Sequence, residues 1–478
     1  MQELTRTTVK TVQYPTKVIQ FGEGNFLRAF VDWMINHLNT NAKFQGGVTI
    51  VQPIRNGMVE ALEKQEGLYH HLLRGISKGK TINDIQLISC VQKLINPFKE
   101  LEDYFDLAKI DTVSLVVSNT TEAGIVFDEN DTPNENELAD TFPGKLTQLL
   151  QKRFEHFSGD PSKGLGIIPC ELIDRNGDQL KSAILRYAKL WNLSADFVGW
   201  IHNANHFGNT LVDRIVTGFP KEEIDEIQKR IGFNDKLVVA SEAFHLWIIE
   251  GSEELQRIFP AHKHGLNVKY VLDQTPYRVQ KVRILNGSHT SMVAVAILAG
   301  LKAVRETIED KNLGIFFKGM IFEEIIPTID LPKSELEVFA NDIIERFENP
   351  FINHELVSIS LNSISKFKVR VLPTIEDYIT IKEEAPERLC IAFAGLIKLY
   401  LLGASGKLIQ LKDKEENILF FKKLNDINDE SVVEEVLSNK VFWGKNLTEN
   451  KVLLSAVVES FKAINKKSIG QLIASTLS

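Results

Sequence analysis

The chain has few cysteines, no long apolar run and no excess of positive charge. Its three cysteines, Cys90, Cys170 and Cys390, lie far apart in 478 residues, so neither a disulfide framework nor a Cys-rich zinc site is suggested. The longest apolar runs, at 292–301 and 389–397, are too short to cross a membrane, and the first residues do not resemble a secretory leader. We therefore expect a protein of the reducing cytoplasm.

The chain has fewer positive than negative residues: 55 Lys and Arg against 63 Asp and Glu, which gives a net charge of -8. Neutralising phosphates needs a basic surface, so we expect no nucleic-acid partner. Metal-ligand patterns are also scarce: His202 and His206 would lie one turn apart on a helix, yet they lack the glutamate of H-E-x-x-H. The sequence favours metal-independent chemistry on small molecules, in a chain long enough for more than one domain.

The first half alternates apolar runs with helical periodicity. The run 17–21 meets Gly22-Glu23-Gly24 and then a stretch with an apolar residue at every fourth position, and a second run follows at 48–51. Strand, glycine turn, helix and strand are the opening of a dinucleotide-binding fold. Two β-rich stretches between 68 and 95 flank 77–80 and predict a hairpin inserted into the sheet. Further buried strands are predicted at 112–117, 165–168 and 236–240.

The second half is predicted to be mostly helical, with helical patterns over 279–304, 335–347, 386–402 and 453–462. We therefore predict an α/β fold in which a Rossmann-type doubly wound sheet, residues 1–272, precedes a mostly α-helical substrate and catalytic domain, residues 273–478. The helix nearest this boundary would line the cleft between the domains, a favoured place for small-molecule sites.

The glycine turn follows G-x-G-x-x-G except at Leu27, which replaces the last glycine. Backbone N–H groups at the start of the following helix, with the helix dipole behind them, can hold a pyrophosphate. An ordinary glycine turn into a helix is the alternative. The cofactor-binding candidates in this turn are Phe21, Gly22, Gly24, Asn25 and Phe26.

Two further loops are candidates for cofactor binding. Where an acidic residue usually binds the adenosine ribose, Gln52 can bind a ribose hydroxyl and Arg55 a 2′-phosphate, which leaves NAD and NADP both open. The loop after the predicted strand 112–117 also lines the ligand crevice in such folds and suits a nicotinamide ribose, with a hydrogen-bonded turn as the alternative. Its candidates are Ser118, Asn119, Thr120 and Glu122.

The chemistry is predicted at Lys281, Asn286 and His289, in the sequence K-V-R-I-L-N-G-S-H. On an α-helix with about 100° per residue, Asn286 lies about 140° and His289 about 80° from Lys281, so the three side chains can share one broad face. Apolar neighbours predict burial, which lowers the pKa of a lysine and makes it a usable acid or base. Alone, Lys281 would be a solvated charge and His289 a structural histidine.

Together these residues resemble the mannitol dehydrogenase family of long-chain polyol dehydrogenases. The resemblance runs through 20–28, 118–124, the N-x-x-V-D-R-I motif at 209–215 and the K-x4-N-x2-H signature at 281–289, and it spans nearly the whole chain. The order of two specific motifs argues against chance agreement. The opening Q-F-G-E-G-N-F-L-R is most similar to the branch of the family that acts on the uronate tagaturonate.

The resemblance implies reversible, metal-independent hydride transfer from NADH to the carbonyl carbon of tagaturonate, giving altronate in hexuronate catabolism, with NADP not excluded. It implies Lys281 as the acid/base, Asn209 and Asn286 as an oxyanion pair for the developing alkoxide, and His289 as a group that positions the substrate hydroxyls. Fructuronate reduction, oxidation of mannitol or its phosphate, and a non-catalytic nucleotide sensor stay open as alternatives.

A uronate carries a carboxylate that mannitol lacks, so this branch needs a cation. Lys366, Lys368 and Arg370 alternate as on a strand, which would aim all three charges to one side where an anion can bind; an exposed charged edge strand is the alternative. The resemblance adds Asp213 and Arg214 as substrate-binding candidates. The expected partner is a small keto-uronate or aldonate, and the oligomeric state is open.

Overall fold

The computed structural model describes residues 1–121, 123–134 and 136–477. The chain divides into two compact units. The first comprises residues 1–74 and 81–274, and the second comprises residues 75–80 together with the chain from Thr275 onward. The sequence prediction placed the change of domain after residue 272 and did not assign residues 75–80 to the second part.

Fifteen strands occur among the described residues. In chain order they are β1 (Gln2–Glu3), β2 (Thr16–Phe21), β3 (Gly47–Val51), β4 (Tyr69–Ser77), β5 (Lys80–Ile88), β6 (Val91–Ile95), β7 (Leu115–Ser118), β8 (Gly166–Pro169), β9 (His206–Phe207), β10 (Asn209–Asp213), β11 (Val216–Gly218), β12 (Phe233–Asn234), β13 (Val239–Glu242), β14 (Leu246–Glu250) and β15 (Val268–Val271).

The α-helices of the first unit alternate with these strands. They are α1 (Asn25–Leu27), α2 (Trp33–Asn41), α3 (Val59–Glu63), α4 (Leu101–Asp106), α5 (Phe142–His156), α6 (Asn176–Leu190), α7 (Ala195–Asn203), α8 (Ile224–Ile231) and α9 (Glu253–Ile258). A short π-helical segment, Arg28–Asp32, joins α1 to α2.

The main sheet has six parallel strands in the order β6-β3-β2-β7-β8-β9. The chain runs outward from β2 on one side and then crosses back to β7 on the other. The predicted Rossmann-type doubly wound sheet is therefore confirmed. In such sheets the ligand crevice lies where the strand order reverses, here between the carboxyl ends of β2 and β7.

Both faces of this sheet are buried, as expected for parallel strands. Successive side chains point to opposite faces: Val18 and Val117 belong to one core, and their neighbours Ile19 and Val116 belong to the other. The first core also takes apolar residues of α2, and the second takes apolar residues of α5 and α6. This packing fixes the strand ends that carry the candidate cofactor residues.

The predicted hairpin forms, but it lies outside the main sheet. β4 pairs in parallel with β13, so that β4 and β5 complete a separate four-stranded sheet in the order β11-β13-β4-β5. The predicted strand 236–240 is β13 of that same sheet. A third sheet has the order β10-β14-β15.

The second unit is built of α-helices, as predicted. They are α10 (Thr275–Gln280), α11 (Ser288–Leu298), α12 (Val304–Glu309), α13 (Leu313–Gly319), α14 (Lys333–Phe347), α15 (Leu356–Ile359), α16 (Ser363–Arg370), α17 (Leu372–Lys382), α18 (Glu387–Ala404), α19 (Glu415–Lys422), α20 (Asp429–Ser438), α21 (Lys440–Trp443), α22 (Lys451–Lys466) and α23 (Ile469–Thr476). Lys281–Gly287 and Met320–Ile325 are wound as π-helix.

The turn of the hairpin is hydrogen-bonded to a carboxylate of the second unit. Lys78 and Gly79 both have positive φ, and their backbone N–H groups donate to the Glu345 carboxylate of α14 at 2.9 and 2.7 Å. Consecutive N–H groups in such a turn form an anion-binding concavity. As to membranes, none of the helices described here combines the length and the apolar composition needed for a span.

Candidate active site

The glycine turn after β2 is held by backbone hydrogen bonds. Gly22 N donates to Val51 O at 3.1 Å, and Asn119 N donates to Phe21 O at 3.1 Å. Gly22 has a φ of 121°, and a Cβ there would lie 2.9 Å from the carbonyl oxygen of Asn119. Only glycine fits this position. The Phe21 ring packs in the core, 5.0 Å from the ring of Phe142, so only the backbone of Phe21 is at the turn.

The next residues of the turn are more open. Gly24 is exposed, and no atom lies within 4 Å of the Cβ that an alanine would add. Asn25 is also exposed, and its Oδ1 accepts a hydrogen bond of 2.7 Å from Arg28 Nη2. The Phe26 ring stacks on Phe30, with 4.9 Å between ring centres. The turn therefore presents exposed backbone at the start of α1.

The loop after β7 is organised by a buried carboxylate that sequence reasoning missed. Ser118 Oγ donates to Glu171 Oε2 at 3.0 Å, and the N and Oγ1 of Thr120 donate to Oε1 at 3.0 and 2.9 Å. Asn119 Nδ2 donates to Cys170 O at 2.9 Å. Burial raises the pKa of Glu171, which these hydrogen bonds partly oppose. The hydrogen-bonded turn considered as the alternative is present, and cofactor contact by these residues stays a prediction.

Gln52 is buried and bound to its own loop. Its Nε2 donates to Ile54 O at 2.8 Å and Arg55 O at 3.1 Å, and its Oε1 accepts from Val59 N at 3.4 Å. The amide thus shapes the loop after β3. Contact with a ribose would compete with these bonds, and the predicted role of this side chain stays a prediction.

A cavity of about 490 Å³ lies beside this loop. Its lining includes Arg55, Phe98, Leu101 and Asp131, and the Arg55 guanidinium carbon lies 5.1 Å from the centre of the Phe98 ring. Both apolar and polar side chains line the cavity, which lies near the carboxyl end of the main sheet, where Rossmann-type folds bind ligands.

The remaining cofactor candidate, Glu122, lies outside the described residues.

Asn209 begins β10 with both ends of its amide hydrogen-bonded. Oδ1 accepts from Asp178 N at 2.9 Å, which fixes the orientation of the amide. Nδ2 donates to Asp178 Oδ2 and to Glu250 Oε1, both at 3.1 Å. Arg175 bridges the same carboxylates, at 2.8 Å to Asp178 and 2.7 Å to Glu250. The oxyanion role of Asn209 stays a prediction.

Arg214 is a packing residue of the first unit. Its guanidinium donates to Glu242 O at 3.0 Å and Ala29 O at 2.7 Å and lies 4.3 Å from the Trp33 ring. Burial lowers its pKa to about 9, against the opposing charge of Glu242. These contacts favour a structural role over the predicted substrate contact. Asp213, buried at the end of β10, stays a candidate.

Lys281 and Asn286 lie on a π-helical segment of seven residues between α10 and α11. The prediction of one α-helix over 279–304 is wrong here, because π-type hydrogen bonds run from residue i+5 to residue i and widen the turn. Asn286 is five residues after Lys281, so it lies one π-helical turn away on the same side, closer to Lys281 than α-helical geometry would place it. Such segments occur often at functional sites.

His289, the second residue of α11, is a neutral imidazole. Its ring stacks on Phe347 with 4.4 Å between centres and 17° between planes, and it meets the edge of His354 at 5.7 Å. Burial, followed by nearby positive groups, lowers its pKa to about 3. Its Nε2 is buried, and among the described residues it has no hydrogen-bond partner.

The predicted strand carrying Lys366, Lys368 and Arg370 is instead α16. On a helix, residues four apart share a face and a residue two positions on lies about 200° away, so Lys366 and Arg370 lie together and Lys368 does not. Lys368 Nζ lies near Gly444, after α21, whereas a Cβ at Gly287 would lie 2.9 Å from Arg370 O. α16 therefore brings Lys366 and Arg370 to the 281–289 segment.

No three His, Cys, Asp or Glu side chains within the described ranges are grouped to hold a metal ion. His202 lies on α7 and His206 on β9, so they do not share the helix face considered from the sequence.

Family models match both parts of the chain. Residues 16–258 match the mannitol dehydrogenase Rossmann domain, and residues 273–465 match the mannitol dehydrogenase C-terminal domain. The chain belongs to the mannitol dehydrogenase family. The resemblance inferred from the motifs is thereby confirmed.

Members of the mannitol dehydrogenase family with known names are similar over nearly the full chain. An altronate oxidoreductase of Phocaeicola vulgatus is 43% identical over 98% of each chain, and one of Bacillus subtilis is 44% identical over 91% of this chain and 90% of its own. Among solved structures, a D-sorbitol dehydrogenase has a TM-score of 0.80 at 20% identity, covering 98% of this chain and 100% of its own. A mannitol 2-dehydrogenase of Pseudomonas fluorescens gives 0.63 at 20% identity, covering 97% and 95%. These two structures share the fold.

Two further residues of the second unit influence the pKa of His289. His354 resembles a family position for which no role could be derived from the sequence, and Arg346 was not singled out from the sequence. Arg346, in the last turn of α14, is buried, and both Arg346 and His354 contribute to lowering the pKa of His289. Burial, followed by Arg346, also lowers the pKa of His354. The sequence pattern of α14 places Arg346 on the apolar face of an amphipathic helix, which could have marked it as unusual. Such a pattern does not show which neighbouring residues the arginine contacts.

Proposed function

We propose that the protein is an NAD(H)-dependent altronate oxidoreductase, which reversibly reduces tagaturonate to altronate. The observation that carries this proposal is the similarity, at 40% to 44% identity over nearly the whole chain, to altronate oxidoreductases from several bacteria. The 281–289 segment, with a lysine, an amide and a neutral imidazole on adjoining turns, is suited to that reaction.

The first unit is suited to hold the dinucleotide. At Gly22 there is no room for a Cβ, whereas Gly24 stands in open space at the start of α1, so a pyrophosphate can approach the backbone N–H groups there. The loop at Ser118 lies beside this turn, since Phe21 pairs with Ser118. The adenosine half would occupy the cavity lined by Arg55 and Phe98. NAD(H), when bound, supplies or accepts the hydride.

The side chains of the second unit handle the proton. Lys281 donates a proton to the oxygen that becomes the alcohol during reduction and removes it during oxidation. The amide N–H groups of Asn286 stabilise the negative charge that develops on this oxygen. The same role, which the family resemblance implies for Asn209 of the first unit, requires one of its N–H groups to leave Asp178 or Glu250. His289, neutral and with Nε2 free of protein partners among the described residues, can hydrogen-bond a substrate hydroxyl.

The test is a comparison of substrates. Purified protein is assayed for NADH oxidation with tagaturonate, fructuronate, fructose and fructose 6-phosphate, and again with NADPH. We expect tagaturonate with NADH to give the highest kcat/KM. Preference for fructuronate or for a sugar without a carboxylate would overturn the substrate assignment, and no turnover with any of them would overturn the enzymatic proposal.

We also place the reaction in the cytoplasm. Cys90, Cys170 and Cys390 are all buried free thiols, which suits a reducing compartment. The partners of the protein are then the dinucleotide and a small aldonate or keto-uronate. Fractionation of the source cells, with activity in the soluble fraction, is the expected result.

A further inference from the structure

Positive groups surround His289 within the second unit. Apart from burial and His354, an imidazole whose own pKa is lowered, the groups that lower the pKa of His289 are Arg346, Arg370 and Lys366. They come from two places in the chain, the last turn of α14 and one face of α16. Positive groups that repel one another in a half-buried place are costly to assemble unless an anion binds among them.

Arg370 is the least compensated of these groups. It is half-buried, and burial alone lowers its pKa. No hydrogen bond or ion pair to its guanidinium occurs within 1–121, 123–134 and 136–477. A half-buried guanidinium without an acid is unusual, because its fork of N–H donors matches a carboxylate.

Lys366 lies one helical turn before Arg370. Its Nζ donates to Ile359 O at 2.8 Å, and burial and Arg370 lower its pKa while Asp413 opposes this. The close approach of Arg370 O to Gly287 fixes α16 against the π-helical segment that carries Lys281 and Asn286. The pair therefore lies beside the groups proposed to act on the reacting carbon.

We propose that Arg370 and Lys366, supported by Arg346, form a subsite for the carboxylate of the substrate and so select aldonates and keto-uronates over neutral polyols. This inference rests on the proposed function and adds to it the residues that recognise the anionic end. Arg370 forms the main bidentate contact, and Lys366 contributes a point charge on the same helical face. Lys368 takes no part, since it lies on the far side of α16.

The test compares altronate with altritol, which has the same carbon chain with CH2OH in place of the carboxylate. In Arg370→Gln we expect kcat/KM for altronate to fall about 10- to 100-fold, as for loss of a hydrogen bond between charged groups, with kcat/KM for altritol changed less than about 3-fold. Lys366→Met should act in the same direction with a smaller loss. Arg370→Lys should recover part of the altronate activity.

Lys368→Met is the matched control, with the same residue type changed on the same helix, and it should leave both substrates unaffected. Equal losses for altronate and altritol in Arg370→Gln would overturn the subsite, and so would a change confined to the KM for NADH. Binding of altronate and altritol to each variant, measured by calorimetry, separates this proposal from the proposed function. A wild-type protein that binds altronate through Arg370 without oxidising it would refute the reaction and keep the subsite.

Discussion

The predicted cofactor residues of the first unit and the predicted substrate residues of the second differ in how their polar groups are satisfied. Gln52, Ser118 and Thr120 are hydrogen-bonded to neighbouring protein groups, largely through the loop backbone and Glu171. In the second unit, by contrast, His289 Nε2 and the Arg370 guanidinium have no such partner among the described residues.

This difference shows two ways of preparing a binding site. In the first unit, side chains shape loops so that the backbone meets the ligand, which suits a cofactor recognised largely by its phosphates. In the second unit, the His289 ring is held by stacking and Arg370 lies on a helix packed against Gly287, and polar atoms of both are left for the substrate. Preorganised polar groups of this kind are where specificity and catalysis originate.

The largest effect is expected from Lys281→Ala. Removing a general acid/base should lower kcat by about 10²- to 10⁴-fold, because no other group would move the proton. Binding of NADH, followed by its fluorescence, should be unchanged, which would sharpen the contrast between the two units. Lys407→Ala, at an exposed lysine of the second unit, is the control. A Lys281→Ala variant with near-normal kcat would remove the lysine from its role.

Gly22→Ala and Gly24→Ala should separate loop shape from ligand approach. At Gly22 the positive φ and the 2.9 Å approach to Asn119 O should cost about 1–3 kcal/mol of unfolding free energy. At Gly24 there is open space, so stability should be retained while the KM for NADH rises. Denaturant unfolding and steady-state kinetics measure the two quantities. A Gly24→Ala variant with unchanged KM would mean that the dinucleotide does not approach this turn.

A smaller effect is expected at Glu250, which accepts a hydrogen bond from Asn209 Nδ2. In Glu250→Gln the amide loses a charged partner, and kcat should change about 3- to 10-fold, equivalent to ~1 kcal/mol, with an unchanged KM for NADH. Glu253→Gln, at an exposed glutamate three residues further on, is the control. Identical kcat values in both variants would show that Glu250 does not position Asn209.

A further prediction concerns the charge of His289. With its pKa lowered to about 3, the ring should stay neutral from pH 8 to about pH 4, and its NMR shifts should be constant over that range. In the unfolded chain a histidine gains a proton near pH 6.5. The unfolding free energy should therefore fall as the pH drops from about 6.5 toward 3, and less steeply in His289→Asn. A midpoint near pH 6.5 for His289 in the folded protein would contradict the burial of this ring.

Much of the fold could be predicted because periodicity reports local structure directly. The apolar runs 17–21 and 48–51 are β2 and β3, and the helical pattern at 335–347 is α14. The hairpin was found, but its sheet was not, because the pairing of β4 with β13 joins positions more than 160 residues apart (His71 with Val239) and leaves no local signal. Glu171 was missed for the same reason, since Ser118 and Thr120, whose groups it binds, lie more than 50 residues away in sequence.

In the candidate site, the winding of the chain was harder to predict than the position of the motif in the sequence. The π-helical winding of Lys281–Gly287 could not be seen in a pattern that suits an α-helix equally well, and the roles of Lys281, Asn286 and His289 stay predictions. The alternating charges at 366–370 were equally ambiguous. A period of two over so few residues does not distinguish a strand from a helix, and in α16 it is the spacing of four between Lys366 and Arg370 that decides which charges meet.

The π-helical segment also determines how this chain accommodates one residue more. If Lys281–Gly287 were wound as α-helix with no change of length, Asn286 would lie about 140° from Lys281. If one residue between them were deleted instead, they would lie four residues, and so about 40°, apart on a continuous α-helix. The π-helical winding therefore absorbs one additional residue while it keeps the lysine and the amide on one side, so that a gain in chain length need not separate the two groups.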